Sequence, residues 1–594
     1  MAKRALIKGN GNGKKLATQQ SVDAAIWSIC DVMRRGNVAS ALQYVPELTW
    51  ILFLRILDET EEREALEANA LGHDYTPSIT SPYRWTDWAR PIDAKAPPTE
   101  TNTRRELTEQ GTGKLLEFVN TKLIPHLKRL RNKPDAAARQ KVIAEILSGV
   151  ERVRIDTETN LLEVLDKVHD ISQKDIDPTH VFALSQVYEG LLLKMGEKGS
   201  DAGQFFTPRE VIRAMVRVVN PKVGERVFDP CAGTGGFLAQ TAVHMLARVD
   251  EGENLPKGMS QATAKEIIKH QTFYGREKEN LIYPIGLANL ILHGIDDPHI
   301  WHGNTLTGTP IYEGLFQGSP SAYEVILTNP PFGGKEKKNI QGFDYPTSAT
   351  EVLFLQYVIR SLVPHGRCGI VMPEGVLFKT NEDAFTKTKK KLLEECELWC
   401  IVSLPGGVFT AAGAGVKTNL LFFTRGKPTA KIWYYDLSER KVGKKTPLVL
   451  DDFKEFVALL PARADSERSW TVDFTARRRK AADEARPFRK AEAEKKAEAD
   501  ALKTMLHALK KAASIDEPKL AETETALNDA LKAGREAARK AESIENAVYD
   551  LKAVNPHRKV VVDTRTPAEL LDLIDAKGVE VTASLALLRK LSVP

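Results

Sequence analysis

The chain has 594 residues, with 84 Lys plus Arg against 79 Asp plus Glu and a formal charge of +5. That length implies about three or four domains, and so small a charge excess excludes a general electrostatic grip on nucleic acid, leaving any basic surface local. Apolar residues at 42% and charged residues at 27% belong to a chain that mostly folds, and five cysteines exclude a disulfide framework, which points to a reducing, cytoplasmic setting.

Residues 1–20 are basic and rich in Gly and Asn without an apolar core, and read as a disordered tail rather than a targeting segment. The run Leu48 to Leu57 contains Arg55 and is far short of the ~20 residues that span a bilayer, so it predicts a buried helix and no membrane. Residues 21–200 carry apolar positions at three- and four-residue spacing, Ile26, Ile29, Cys30 and Met33 among them, and predict an α-helical domain. A loop of about residues 72–100 holds Tyr75, Tyr83, Trp85 and Trp88, an aromatic content that predicts docking. Residues 201–436 alternate short aliphatic runs (RVFD, TFYG, YEVILT, GRCGIVM, LWCIVSL, TNLLFF) with amphipathic helices, an α/β pattern that predicts a parallel sheet with crossover helices and ligands at the carboxyl ends of its strands. Residues 437–475 read as a connecting segment. Residues 476–594 form a helical, coiled-coil-like extension for subunit interaction: two long Ala/Glu/Lys/Arg-rich helices, a turn at Ser514 to Pro518, then a tail with VVVD at 560–563 and a helix through Leu570. A solvated charged spacer would have a similar composition.

The first chemical signal is the strand–turn–helix sequence from Arg226 to Phe237, in which Asp229 precedes Gly233, Thr234, Gly235 and Gly236. Glycines let backbone N–H groups approach a ligand and the helix N-terminus adds positive potential, while a carboxylate at the strand end suits a ligand ammonium group; a plain tight turn would use the same glycines. No Gly-Lys-Ser/Thr follows, so this is not a phosphate-binding P-loop. The next strand ends at Glu277, placed to accept two ribose hydroxyls or to serve as a simple helix-start charge. Asn304, after another short run, offers an amide to an adenine edge. The sharpest signal is YEVILT followed by Asn329, Pro330, Pro331 and Phe332. Two prolines end a buried strand abruptly, so the Asn329 side chain and the Pro330 carbonyl are presented as two acceptors beside an aromatic ring, a clamp for a planar amine. Cys396 and Cys400 have helical spacing but no companion cluster, which favours packing over a metal site; no metal is expected. The stretch Gly333 to Lys338 suits phosphate contact and plain solvation equally.

The combination FDPCAGTGGF, YGRE and NPPF resembles the S-adenosylmethionine-dependent amino-methyltransferases. QFFTPREV (Gln204 to Val211), LPGGVF (Leu404 to Phe409) and GVKTNLLFF (Gly415 to Phe423), between a helical N-terminal domain and a helical extension, resemble the modification subunit of type I restriction–modification systems, DNA adenine-N6 methyltransferases. The resemblance covers about Ser21 to Arg425. It implies a Rossmann-like catalytic domain; Gln204, Phe205, Phe206, Thr207, Pro208 and Arg209 closing over S-adenosyl-L-methionine; Asp229 and Gly233 to Gly236 holding its methionine part; and Glu277 its ribose. Asn304 stands where relatives commonly carry Asp. Asn329, Pro330, Pro331 and Phe332 would grip an adenine flipped out of double-stranded DNA, and Phe409 resembles the aromatic on the base's other face, although a core Phe fits as well.

No stretch after the catalytic region has the mixed strands and loops needed to read a DNA sequence. Specificity is therefore expected from another chain; the resemblance implies a DNA specificity subunit, a second copy of the modification subunit and a restriction/translocase subunit. A glutamine-N5 protein or RNA methyltransferase using the same clamp, or a non-catalytic scaffold, are the alternatives.

Overall fold

The computed structural model describes residues 19–36, 38, 41–92, 102–171, 207–253, 255–308, 314–337, 342–409, 416–443, 446–511, 517–557 and 565–591. Its centre is a nine-stranded sheet: β1 Val227–Asp229, β2 Phe273–Glu277, β3 His299–His302, β4 Tyr323–Thr328, β5 Leu362–Pro373, β6 Cys396–Ser403, β7 Thr418–Arg425, β8 Lys431–Asp436 and β9 Ser469–Asp473. The spatial order is β3-β2-β1-β4-β5-β7-β6-β8-β9. The strand runs are nearly continuous in apolar residues because both faces are covered. In β7, Leu420 and Phe422 enter the core beneath the helices Arg209–Val219, Gly236–Asp250 and Gln261–Gln271, while Leu421 and Phe423 enter the opposite core with the helices Thr350–Ser361 and Asp383–Glu395.

The expectation of a parallel sheet holds for β1 to β6 and β8, which run in one direction, and fails for β7 and β9. β7 lies antiparallel between β5 and β6, and β9 is antiparallel to β8. A doubly buried run reads the same in either direction, so its sequence carries no polarity. The segment expected only to connect, 437–475, supplies β9 and a short helix, Lys454–Leu459, whose Phe456 is fully buried. Cys396 and Cys400 sit on a strand, not a helix; a register shift between Leu398 and Cys400 sends them into opposite cores. Burial pushes the Cys396 thiol up to about 12 and raises that of Cys400 further, so both are inert fillers.

The N-terminal region is helical as expected, from Gln19–Arg35 and Ala41–Ala70 to Glu158–His169. The aromatic loop docks: Trp85 and Trp88 are buried, with Trp88 stacked on Trp50 of the long helix. This domain has no sharp border with the sheet domain. The helix Tyr283–Leu292 gives Ile285, Leu287 and Ile291 to the N-terminal core and Leu290 to the sheet core. Arg139 spans the same junction, donating to Glu64 at 2.8 and 3.0 Å and to Asp296 at 2.9 and 2.6 Å, with Glu61 at 3.5 Å.

At the other end of the chain, the helices Phe474–Lys511 and Glu517–Ala547 form the expected hairpin; its turn and VVVD at 560–563 lie almost wholly outside the described residues. The hairpin is held at its base. Phe474 and Tyr549 pack in the sheet core, and the Leu551 N–H donates to the Leu377 carbonyl at 3.1 Å. A last helix, Pro567–Leu591, exposes Leu571, Ile574, Val579 and Val581.

Replacing Arg139 by Met leaves three carboxylates at the junction without their cation. The expected cost is about 3 kcal/mol, checked by denaturant unfolding followed by tryptophan fluorescence.

Candidate active site

The strand order reverses at β1: β2 and β3 lie on one side, β4 on the other. In an open α/β sheet such a switch point leaves a crevice at the strand carboxyl ends. Here the crevice lies between the ends of β1 and β4, which pair through Val227 with Val325 and Phe228 with Ile326. Asp229, the last residue of β1, and Asn329, the first residue after β4, are thereby brought to the ends of two adjacent strands.

Beyond Asp229 the backbone turns through Gly233 (φ 54°) and Gly235 (φ 77°), left-handed conformations that a β-carbon disfavours. Gly235 caps the helix Gly236–Asp250, whose first N–H groups receive no side-chain cap. From below, Gly286 fits beneath the bend only because it lacks a side chain: a β-carbon there would stand 2.9 Å from the Gly233 carbonyl.

Two carboxylates face this bend. Asp229 is 1% exposed and its Oδ1 accepts from the Cys231 N–H at 3.0 Å and the Thr328 hydroxyl at 2.7 Å. Burial raises its carboxyl to about 7 despite those bonds, and Glu277 adds to the rise. Glu277 accepts from the Gly233 N–H and the Glu279 N–H, both at 2.8 Å, and burial raises its carboxyl too. Neither has a basic partner in an ion pair among the described residues. Buried carboxylates without a cation fit a ligand that brings one, together with hydroxyls for the lone pairs left on Glu277.

At the end of β4, Asn329 donates from Nδ2 to the Thr207 hydroxyl at 3.0 Å, while its Oδ1 is buried and has no hydrogen-bond partner among the described residues. An unpaired buried acceptor costs roughly 1–3 kcal/mol, and an amine donor would relieve it. Pro330 is buried; Pro331 and Phe332 are half-buried. Phe332 meets Phe409 edge to face, ring centres 5.8 Å apart at 77°. Phe409 is 2% exposed, so for a base to lie between the two rings Phe409 would have to swing away.

Of the segment expected to close over the crevice, Gln204, Phe205 and Phe206 lie outside the described residues. Thr207 touches Asn329; Pro208 caps the helix Arg209–Val219, which Arg209 opens. Asn304 is engaged at both ends of its amide, accepting from the Leu306 N–H and donating to Glu336, each at 3.0 Å. Three residues that join these pieces escape a sequence reading: Thr328, which ties β4 to Asp229; Thr305, whose hydroxyl donates to the Pro230 carbonyl at 2.6 Å; and Glu336. Thr328 alone had a visible signal, as the last strand residue before Asn-Pro-Pro.

Comparison with known proteins follows the same lines. Residues 180–499 match the N-6 DNA Methylase family and residues 22–168 the HsdM N-terminal domain. The chain is 36% identical over 470 residues to the type I restriction enzyme EcoEI methylase subunit of Escherichia coli, covering 76% of this chain and 87% of that one. It is similar to a crystal structure of a modification subunit from Vibrio vulnificus YJ016, with 31% identity, a TM-score of 0.64 and coverage of 77% and 93%. It is also similar, with 31% identity, a TM-score of 0.56 and coverage of 97% and 99%, to a chain in a structure concerned with complex assembly and conformational transition of the type I R-M system. A glycine bend with two buried carboxylates, joined at the switch point to an Asn-Pro-Pro-Phe strand end, therefore sits in a chain that belongs to the N-6 DNA methylase family, among the methylase subunits of type I restriction enzymes.

Proposed function

We propose that this chain transfers a methyl group from S-adenosyl-L-methionine to N6 of an adenine flipped out of double-stranded DNA. It would act as the modification subunit of a type I restriction–modification complex. The observation that carries the reading is the buried Oδ1 of Asn329, which has no partner among the described residues, at the mouth of the glycine-bend crevice.

The residues fit the cofactor. Asp229 suits its ammonium group, Glu277 its ribose hydroxyls, and the N-terminus of the helix Gly236–Asp250 its carboxylate end, with Asn304 near its adenine. When bound, the cofactor supplies a methyl group activated by a sulfonium. The chain's task is to make adenine N6 nucleophilic, since its lone pair is delocalised into the ring. Asn329 Oδ1 and the Pro330 carbonyl accept the two amino protons and draw electron density back onto nitrogen, while Phe332 stacks on the base and holds it in line. Extrusion of the base costs on the order of a few kcal/mol.

Sequence recognition is assigned to a separate specificity subunit, with a second copy of this chain and a restriction/translocase subunit completing the complex in the cytoplasm. The type I relatives support this reading, as does the absence of any described helix long and apolar enough to cross a membrane. Methyl transfer from labelled cofactor to DNA, with none to protein or RNA, is the direct test.

Asn329→Ala should cut turnover about 10³-fold and leave the cofactor Kd within about threefold; equal losses in both would contradict the role. Phe332→Ala should lower kcat/KM for DNA about 10- to 100-fold, with Phe332→Tyr close to wild type. Asp229 must be ionised to hold an ammonium group, so cofactor affinity, read by calorimetry, should weaken about tenfold between pH 8 and pH 6. Because its folded value of about 7 lies above the unfolded one near 4, the group favours folding at low pH, and this contribution is lost as pH rises through 7. Asp229→Asn should accordingly raise Tm at pH 8 by at least about 2 °C, a gain that vanishes below about pH 4, while abolishing the pH dependence of cofactor binding.

A further inference from the structure

The helix Tyr283–Leu292, YPIGLANLIL, carries a single amide side chain, Asn289, which is 2% exposed. Its Nδ2 donates to the Thr234 carbonyl at 2.9 Å, and its Oδ1 is buried with no hydrogen-bond partner among the described residues. A backbone carbonyl can only accept, so this bond fixes which end of the amide faces the glycine bend. A half-satisfied amide in a core lowers stability where an apolar side chain of the same size would not. Such a residue points to a task other than packing.

The bend shows what that task is. Thr234 lies between Gly233 and the pair Gly235 and Gly236, and Gly235 sits at φ 77°. Glycine takes either sign of φ, so the freedom that lets the chain make the bend also lets the peptide between Thr234 and Gly235 turn over. Turned over, it would swing the Thr234 carbonyl out of the interior and set a partial negative charge beside the helix N-terminus that suits an anionic ligand group. The peptide is held at both ends. The Gly235 N–H donates to the Ala232 carbonyl at 2.8 Å, a bond made within the bend, and Asn289 holds the Thr234 carbonyl from outside it. The outer hold stands on a fixed base. One turn before Asn289, Gly286 lies under the Gly233 carbonyl; Leu290 packs against Gly235; and Ile285, Leu287 and Ile291 are buried in the N-terminal core.

We infer that Asn289 is a positioning residue for cofactor binding: it pins the Thr234–Gly235 peptide with its carbonyl turned into the protein, and so keeps the glycine bend in the form that accepts S-adenosyl-L-methionine. The inference rests on the proposed function and adds to it a residue that acts through the bend.

The test uses the full chain and S-adenosyl-L-methionine, with binding read by calorimetry, stability by Tm, and turnover by methyl transfer to unmethylated genomic DNA in the presence of the partner subunits. Asn289→Leu removes the donor and the unpaired acceptor at similar side-chain size. It should raise the cofactor Kd and KM about tenfold, leave kcat at saturating cofactor within about twofold, and leave the Tm of the ligand-free chain equal or higher. Weaker binding without lower stability is what separates pinning from general packing. Gly286→Ala reaches the bend from the same helix: its β-carbon would stand 2.9 Å from the Gly233 carbonyl, while alanine favours the helix itself. It too should raise the Kd about tenfold. An unchanged Kd in either variant overturns the inference, and so does an Asn289→Leu chain that loses Tm, Kd and kcat together. Should Asn289→Leu not fold, Asn289→Ala is read by the split between KM and kcat: a raised KM at unchanged kcat supports pinning, and an unchanged KM overturns it. Wild-type chain that neither binds S-adenosyl-L-methionine nor methylates DNA overturns the proposed function itself, whereas wild-type binding beside an unchanged Asn289→Leu overturns only the present inference.

Discussion

The pairing of β1 with β4 is the constraint on which the site depends. Each strand ends in a motif of its own, a glycine bend after Asp229 and a proline stop after Asn329, and neither is a pocket alone. Parallel pairing at the point where the sheet reverses direction puts the two ends side by side, and the Thr328 hydroxyl on Asp229 locks them. The bond also shows why Asp229 is costly. Two hydrogen bonds reach the carboxylate and burial still raises it to about 7, so its charged form is held at an electrostatic cost. Residues held under such tension mark functional sites more often than structural ones.

The helix Tyr283–Leu292 extends the same logic to the N-terminal domain. Gly286 lies against the glycine bend while its neighbours Ile285 and Leu287 belong to the helical core. The N-terminal domain is thus no appendage: the floor of the crevice is the domain boundary. Arg139 reinforces the junction with a charge network that is largely out of water. Removing one partner of such a network is far more damaging than never having built it.

Much of this was legible in the sequence, and the rest was hidden for physical reasons. Strand runs showed because doubly covered strands are nearly all apolar, and the clamp showed because prolines cannot sit inside a sheet. Asp229 and Asn329 stand out in the sequence by residue type and by their position at the ends of strand runs. Strand direction did not show, since TNLLFF has no polarity. β9 does not show because Ser469–Asp473 is short and partly exposed at a sheet edge, and the spacing of Cys396 and Cys400 does not reveal the bulge that turns them to opposite faces of one strand. Contacts such as Thr207 to Asn329 join residues 122 positions apart and exist only once the sheet has brought them together. For the same reason the edge contact of Phe332 with Phe409, and the engagement of Asn304 by Glu336, could not be foreseen.

The antiparallel seat of β7 bears on how the chain is made. β5 and β6 are synthesised first, yet they are not neighbours; the strand that belongs between them emerges later from the ribosome. Until it arrives, β5 presents a bare hydrogen-bonding edge and β6 has no partner among the strands already translated. The nascent protein therefore waits with an open seam in its largest apolar layer, a state that invites aberrant pairing with other chains. Ribosome pausing, chaperone supply and growth temperature would act on the yield of this protein chiefly during that interval.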